Sequence, residues 1–497
     1  MSDVLFGYAA ALTPINLVAA IISVAIGITI GALPGLSAAM GVALLIPITF
    51  GMDPSTGLIT LAGVYCGAIF GGSISAILIR TPGTPAAAAT AIDGYELTKQ
   101  GKAGTALGTA ITASFIGGIL SAIPLYLFAP RLAKLALLFG PAEYFWLSIF
   151  GLTIIAGAST KSIVKGLISG ALGLMLSTVG MDPMLGNARF TFGVPALLSG
   201  IPFTAALIGL FSMSQVLMLA EKKIKQAGNM VEFDNKVLLS RKQILEILPT
   251  SLRSTVIGSI IGILPGAGAS IAAFLGYNEA KRFSKKKELF GHGSIEGIAG
   301  AEAANNAVTG GSLIPTFTLG IPGESVTAVL LGGLMIQGLQ PGPDLFTVHR
   351  KITYTFFAGF VIVNIFMLIL GLFGSKLFAR VSRVSDSYLI PLIFSLSVIG
   401  SYAINNQMSD VWVMFVFGII GYFVQKFELN SASIVLALIL GPIGESGLRR
   451  SLILNHNNYS ILFQSTVSKV LLLLTLFSLL SPIVMSKLKK RNTLDTF

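Results

Sequence analysis

The chain has 497 residues, of which 54% are hydrophobic and only 11% charged, with a mean hydropathy of +0.84. That leaves too little polar surface to cover a water-soluble globule of this size, so the composition defines a polytopic membrane protein. A net charge of +12 would suggest nucleic acid in a soluble protein, but here Lys and Arg flank apolar runs, where they fix orientation in the bilayer, and no nucleic-acid role is expected.

No basic n-region and no A-x-A cleavage pattern precede the first apolar run, so the first segment is expected to stay in the membrane. A chargeless stretch runs from Ala9 to Phe50, broken at Pro34-Gly35 and again at Pro47. It suits two short membrane legs meeting at a Pro-Gly tip, or one long broken crossing. Next come Gly71-Gly72-Ser73 and the break Arg80-Thr81-Pro82-Gly83-Thr84, and then Asp93 and Glu96, which read as part of a solvated connector. The lone Cys66 lies in an apolar segment and forms no internal disulfide. Apolar runs follow at Leu107–Ala129, Tyr144–Ala158 and Ala205–Ala220, with Met181–Gly193 as a turn-rich loop and Glu221–Lys242 as a charged connector. A second broken stretch, Ser254–Tyr277, precedes the runs Thr353–Phe373, Val411–Val424 and Val467–Val484, and the terminal Lys487–Asn492 favours a cytoplasmic C-terminus. At roughly 20 residues per crossing, these runs and the broken segments amount to about ten to twelve membrane elements.

The two halves repeat. GITIGALPGLSA at Gly27–Ala38 returns as GSIIGILPGAGA at Gly258–Ala269, an offset of 231 with seven of twelve residues identical. Gly71-Gly72-Ser73 returns as Gly310-Gly311-Ser312 and Pro82-Gly83 as Pro322-Gly323, at offsets of 239 and 240. Ala142–Gly157 likewise resembles Asp386–Gly400 at an offset of 244. Pro/Gly-interrupted apolar segments in matching places of two halves point to the binding site of a transporter. No Lys or Arg precedes Arg80, whereas the second tip is bracketed by Lys222, Lys223, Lys225, Lys236, Arg241, Lys242 and Arg253 before it and by Lys281, Arg282 and Lys285 to Lys287 after it. Basic flanks place the second hairpin's entry on the cytoplasmic side and its uncharged counterpart's on the outside, the pattern of inverted repeats built on re-entrant hairpins. The expected fold is therefore an all-α polytopic membrane protein. It divides into a first repeat core (1–130), first scaffold helices (131–220), a charged cytoplasmic connector (221–245), a second core (246–375), and second scaffold helices with a basic tail (376–497).

Irregular backbone at membrane depth survives only where it is buried in protein or lines a wet cavity. At such breaks, half-helix N-termini offer N–H groups to an anion, while freed carbonyls and hydroxyls can coordinate a cation. The candidate substrate-binding residues are Pro34, Gly35, Ser37, Ser73, Thr81 and Thr84 in the first half and Pro265, Gly266, Ser270, Ser312 and Ser325 in the second. Intramembrane charged and amide groups add Arg80, which either neutralises a substrate carboxylate or snorkels to an interface, together with Asn305 and Asn306. Glu302 and Glu324 are further intramembrane polar candidates, with a plain helix-N-terminal role as the alternative for Glu324. Gly31 and Gly262 are better explained by close packing. No P-loop is present, His292, His349 and His456 are scattered through loop-like contexts, and no metal-binding cluster or organic cofactor is expected. An intramembrane hydrolase using Ser312 or Ser325 is the alternative of a different class, without an evident intramembrane His or Lys base.

Four runs, Pro34–Pro47, Gly71–Gly108, Ile263–Arg282 and Gly293–Ser325, together resemble the large membrane subunit of tripartite tricarboxylate transporters, and the resemblance covers nearly the whole chain. It implies a permease rather than an enzyme, one that takes up carboxylates such as citrate with an ion gradient. Sodium is the expected coupling ion, with the proton as the alternative, and Ser37, Asn305, Thr309 and Thr316 are the candidate sodium ligands. It also implies two partners, a small four-helix membrane subunit and a periplasmic solute-binding protein, in a bacterial inner membrane. A stand-alone carrier is the same-class alternative. Similarity to elevator-type carboxylate carriers implies that the repeat core moves against the scaffold. Arg80 departs from the small polar residue that often precedes the TPGTP motif in this family.

Overall fold

The computed structural model describes residues 2–157, 163–221, 237–266, 268–381 and 384–478. Most of the expected connector, including Lys222, Lys223, Lys225 and Lys236, and the terminal Lys487–Asn492 lie outside the described residues.

Ten helices form the core, five from each half. In the first half they are α1 (Pro14–Ala32), α2 (Ala38–Thr49), α3 (Pro54–Ile79), α4 (Ala87–Lys99) and α5 (Ala103–Ala136). In the second they are α6 (Arg241–Ile263), α7 (Gly268–Phe283), α8 (Ile295–Leu319), α9 (Ser325–Ile336) and α10 (Arg350–Val381). The same local chemistry punctuates both sets. Proline excludes the helical conformation from the residue before it, and α1 and α6 both stop at an extended leucine, Leu33 (ψ 115°) and Leu264 (ψ 110°), ahead of Pro34 and Pro265. The chain then reverses through left-handed glycines, Gly35 (φ 93°) and Gly266 (φ 77°), which no β-carbon would tolerate cheaply. At 1.5 Å per residue, the 19 residues of α1 span about 28 Å and the 12 of α2 about 18 Å. Each broken stretch is thus an unequal pair: a first leg long enough to cross and a short return leg.

Contact registers give the directions. Gly27 packs on Val64 and Gly31 on Ala68, so α1 and α3 run parallel and α2 runs back between them; Gly258 on Ala304 and Gly262 on Val308 make α6 and α8 parallel in the same way. Without a hydrophobic drive between helices in lipid, such small-residue contacts hold the pairs together. Across the halves the register reverses, Tyr65 meeting Ser312 and Ser73 meeting Glu302, so α3 and α8 are antiparallel. Both central helices are buried without interruption, α3 from Thr56 to Leu78 and α8 from Gly297 to Thr318, as expected of helices apolar on every face. The halves also interlock: α5 lies along α8 through Gly117 on Ala303, and α10 along α3 through Gly359 on Ile59.

Around this core stand Pro141–Gly157, Ile163–Ser177, Phe203–Glu221, Asp386–Asn405, Met408–Lys426 and Ser431–Leu454. The stretch expected as a loop at Met181–Gly193 carries a two-stranded ladder, Gly180–Met181 against Ala188–Arg189, clamped to the last of these helices by Arg189–Glu445 and Arg449–Asp182 ion pairs. Among the described residues, nine helices are long and apolar enough to cross a membrane and four shorter ones are similarly apolar. Helices α5 and α10 run through the expected core–scaffold boundaries at 130 and 375 as continuous rods. One expectation is corrected. Asp93 is not solvated: it is fully buried on α4, and its carboxylate accepts the amides of Gly291 (2.7 Å) and Gly293 (2.9 Å) from the other half. The surrounding AIDGYELTKQG reads as a connector because its apolar face is narrow; interlocking of the halves covers the rest.

Candidate functional site

Both tips and both later breaks face one cavity of about 460 Å3. The start of α2 enters it with Ser37, the approach to α4 with Thr84, the start of α7 with Gly268 and Ser270, and the start of α9 with Glu324 and Ser325. A fifth helix comes from the scaffold, where Glu428 to Ala432 bring in the start of Ser431–Leu454. Five helix N-termini therefore converge, each carrying about half a positive charge and unpaired N–H groups. Some of those groups are already capped: Ser37 Oγ accepts the Met40 amide at 3.1 Å, and Asn430 Oδ1 accepts those of Ala432 and Ser433 at 2.9 and 3.4 Å. Among the described residues, no Lys, Arg or His lines the cavity.

The depth of the two breaks is set by glycine. A β-carbon on Gly83 would lie 2.1 Å from the Gly31 carbonyl oxygen, and one on Gly323 2.5 Å from that of Gly262. Each Pro-Gly break is thus seated directly on the helix that leads to its own half's tip, which is why Gly31 and Gly262 act in packing. The Gly266 amide completes the second seat by donating to the Gly323 carbonyl at 2.8 Å.

Behind the cavity lie two polar clusters along α8. Glu324 accepts from the Tyr65 hydroxyl, which also meets Ser312 Oγ at 3.2 Å. Deeper, the carboxylate of Glu302 accepts from Ser73 (2.6 Å), Thr90, Ser114 (2.9 Å) and Asn306 Nδ2 (3.4 Å), all four residues fully buried or within 1% of it. Both polar side-chain atoms of Asn305, and Oδ1 of Asn306, have no hydrogen-bond partner among the described residues.

The structure thus sorts the sequence candidates. Ser37, Thr84, Gly266, Ser270 and Ser325 line the cavity, with Pro34, Gly35 and Pro265 in the adjoining turns. Ser73, Asn305, Asn306 and Ser312 lie instead in the packed interior. Arg80 and Thr81 are exposed at the end of α3 outside the cavity lining, with the Arg80 guanidinium 5.7 Å from the Tyr95 ring. Of the candidate sodium ligands, Ser37 is at the cavity, while Asn305, Thr309 and Thr316 are buried along α8. The Thr309 and Thr316 hydroxyls turn back to the carbonyls of Asn306 and Ser312, both at 2.6 Å. Sequence reasoning missed Tyr65, Thr90, Ser114 and Asn430. One signal was present: Glu302, Asn305, Asn306 and Thr309 follow the i, i+3, i+4, i+7 spacing of a single helix face.

A multi-pass helical protein whose two halves bring broken helices to a shared polar cavity has the build of a membrane transporter. The chain belongs to the tripartite tricarboxylate transporter TctA family, whose model matches residues 17–436. It is similar to two Agrobacterium vitis proteins. One is described as an uncharacterized 52.8 kDa protein in the TAR-I ttuC' 3' region, 37% identical over 493 residues, 99% of this chain and 98% of that one. The other, described as an uncharacterized protein in the TAR-II ttuC' 3' region, is 36% identical over 235 residues, 47% of this chain and 97% of that one. No solved structure matches the chain.

Proposed function

We propose that this transporter component is the permease of a binding-protein-dependent secondary carrier that imports tricarboxylates or related carboxylates through a bacterial inner membrane, using a sodium or proton gradient. The observation that carries the reading is the convergence of five helix N-termini on one cavity, because aligned N–H groups and helix dipoles suit a compact anion of several charges. The volume, about 460 Å3, falls within the range of small-molecule sites. Ser37, Thr84, Ser270 and Ser325 supply hydroxyls beside the amides. The antiparallel contact of α3 with α8 supports inverted repeats, and an elevator motion is consistent with a cavity on the seam between core and scaffold: segments of both line it, most of them from the core, so displacement of the core would carry most of the site with it. A small four-helix membrane subunit and a periplasmic solute-binding protein would complete the assembly.

The test is uptake into proteoliposomes of the purified chain, with and without candidate partners, using labelled citrate, succinate and phosphate. Citrate or succinate is expected to be preferred over phosphate. Ser270→Phe, which fills the cavity from the start of α7, is expected to cut uptake about tenfold or more, equivalent to about 1.4 kcal/mol. Equal uptake of phosphate, or unchanged uptake by the filled variant, would refute the anion site as drawn.

A further inference from the structure

The cavity's charge balance is the unusual part. Among the described residues, its lining holds two carboxylates, Glu324 and Glu428, and no cationic side chain. Glu428, at the scaffold edge, is paired with Lys165 at 3.1 Å. Glu324 is different. It is half-buried at the start of α9, beside the start of α7 in the cavity lining; its carboxylate accepts from the Tyr65 hydroxyl of α3, its backbone N–H donates to Thr327 Oγ1 at 3.1 Å, and its carbonyl accepts from the Thr327 hydroxyl at 3.0 Å. Among the described residues, the titratable groups around it are Tyr65 from α3 and, in the same lining, Glu428 from the scaffold; the neighbouring starts of α2, α4 and α7 contribute none to the lining. Glu324 thus places an acceptor-only carboxylate, held from behind by the Tyr65 hydroxyl, among the helix N-termini that an incoming anion needs. A carboxylate that stays charged would repel that anion and offer it no hydrogen-bond donor.

We infer that Glu324 is the coupling group of the carrier: it takes up one proton as the anion binds and releases it on the opposite side of the membrane. On protonation the carboxylate becomes a carboxylic acid, which donates where it formerly only accepted. The acid O–H can then donate to the substrate, and one negative charge leaves the cavity as another enters. The proton comes from the water on the entry side and departs into that on the exit side, so no other co-reactant is required. The inference rests on the cavity's being the carboxylate site proposed above.

Two measurements on the full chain test it. The first needs no substrate: pH-induced infrared difference spectra in nanodiscs should show a carboxylic-acid C=O band that titrates, is missing from Glu324→Gln, survives in Glu428→Gln, and shifts in frequency in Tyr65→Phe, where the acid remains but loses its phenolic partner. A set of titrating bands unchanged by Glu324→Gln overturns the inference. The second uses labelled citrate, with the membrane potential clamped by valinomycin and equal potassium. An inside-alkaline gradient of one pH unit should raise wild-type accumulation about tenfold per coupled proton, and the ratio of accumulation with and without the gradient should fall to about one in Glu324→Gln. Wild-type accumulation driven by sodium alone, or a full gradient response in Glu324→Gln, overturns it. Absence of citrate and succinate uptake by the wild type would refute the carboxylate reading, while the infrared experiment still decides whether Glu324 titrates.

Discussion

The break after α3 and the break after α8 have the same backbone and opposite chemistry. Both central helices end in a left-handed residue, Arg80 (φ 56°) and Gly320 (φ 69°), both continue through Pro-Gly, and both seat that glycine on the glycine of their own half's first helix. At the offset of 240 that aligns the prolines, Thr84 stands where the second half has Glu324. The Thr84 hydroxyl is buried without a hydrogen-bond partner among the described residues, whereas the Glu324 carboxylate is held by Tyr65. Deeper in, the offset of 239 puts Gly63, closely packed on Ser23, opposite the acidic Glu302. A duplicated frame thus supplies geometry twice and acid chemistry once. What the two-fold relation fixes is where helix ends point; what it leaves open is which half titrates.

The frame itself is the easiest part to break. Gly83→Ala and Gly323→Ala each push a β-carbon into a backbone carbonyl that cannot move without its helix, and we expect each to cost on the order of 3 kcal/mol. The Gly83 variant should suffer more, at 2.1 Å against 2.5 Å. Fluorescence-detected gel filtration and thermal midpoints in detergent would show it. An alanine accepted at Gly83 with an unchanged midpoint would mean that the two seats are not built alike.

The acid half is tested next. Glu302→Ala leaves three hydroxyls and the Asn306 amide without their shared acceptor, and should destabilise by about 3 kcal/mol, much of it from stranded donors. Glu302→Gln keeps one acceptor oxygen and should cost about 1 kcal/mol. If the two variants are equally stable, the cluster does not depend on an acceptor at this position, and the asymmetry of the halves is one of composition only.

How much of this was legible in the sequence follows from the range of each interaction. The tips and breaks were visible because Pro and Gly act on their own and adjacent residues, so Pro34-Gly35 and Pro265-Gly266 end helices whatever surrounds them. Their meeting at one cavity was readable from the repeat. Which way a polar side chain on an all-apolar helix points was not. Ser73 and Ser312 belong to a motif repeated alongside the breaks, Gly-Gly-Ser, yet turn inward, because α3 and α8 are enclosed on every side. Tyr65, Thr90 and Ser114 matter only through partners on α8 or at its C-terminal break, more than 180 residues away, a relation that helical periodicity cannot supply. Asn430 enters from the scaffold, whose packing on the core left no motif in the sequence.

Arg80 and Gly320 permit a smaller test. A left-handed conformation costs a non-glycine residue roughly 1–2 kcal/mol, so Arg80→Gly should raise the thermal midpoint by an amount equivalent to about 1 kcal/mol. Gly320→Ala should lower it, because the added β-carbon meets both the strained backbone and Pro341 at 3.0 Å. A lower midpoint for Arg80→Gly would show that the contact with Tyr95 outweighs the backbone strain, giving Arg80 a structural purpose that its counterpart lacks.

The smallest effect separates the site's acid from the scaffold's. Asp182, in the hairpin beyond the core, accepts the Leu185 and Met184 amides at 2.9 and 2.8 Å and meets Arg449 at 2.8 Å; these donors, led by the Leu185 amide, hold its carboxyl down at about 2. Since the folded value is depressed, the stabilisation it gives is fully present above the ordinary carboxylate range near pH 4 and is lost only as pH falls through about 2. Asp182→Asn should therefore lower stability by a constant amount across neutral pH and leave the shape of the uptake–pH curve between about pH 5 and 8 unchanged, as followed by labelled citrate at each pH. A curve that changes shape would place a functional proton in the scaffold and remove the second break's claim to be the titrating half.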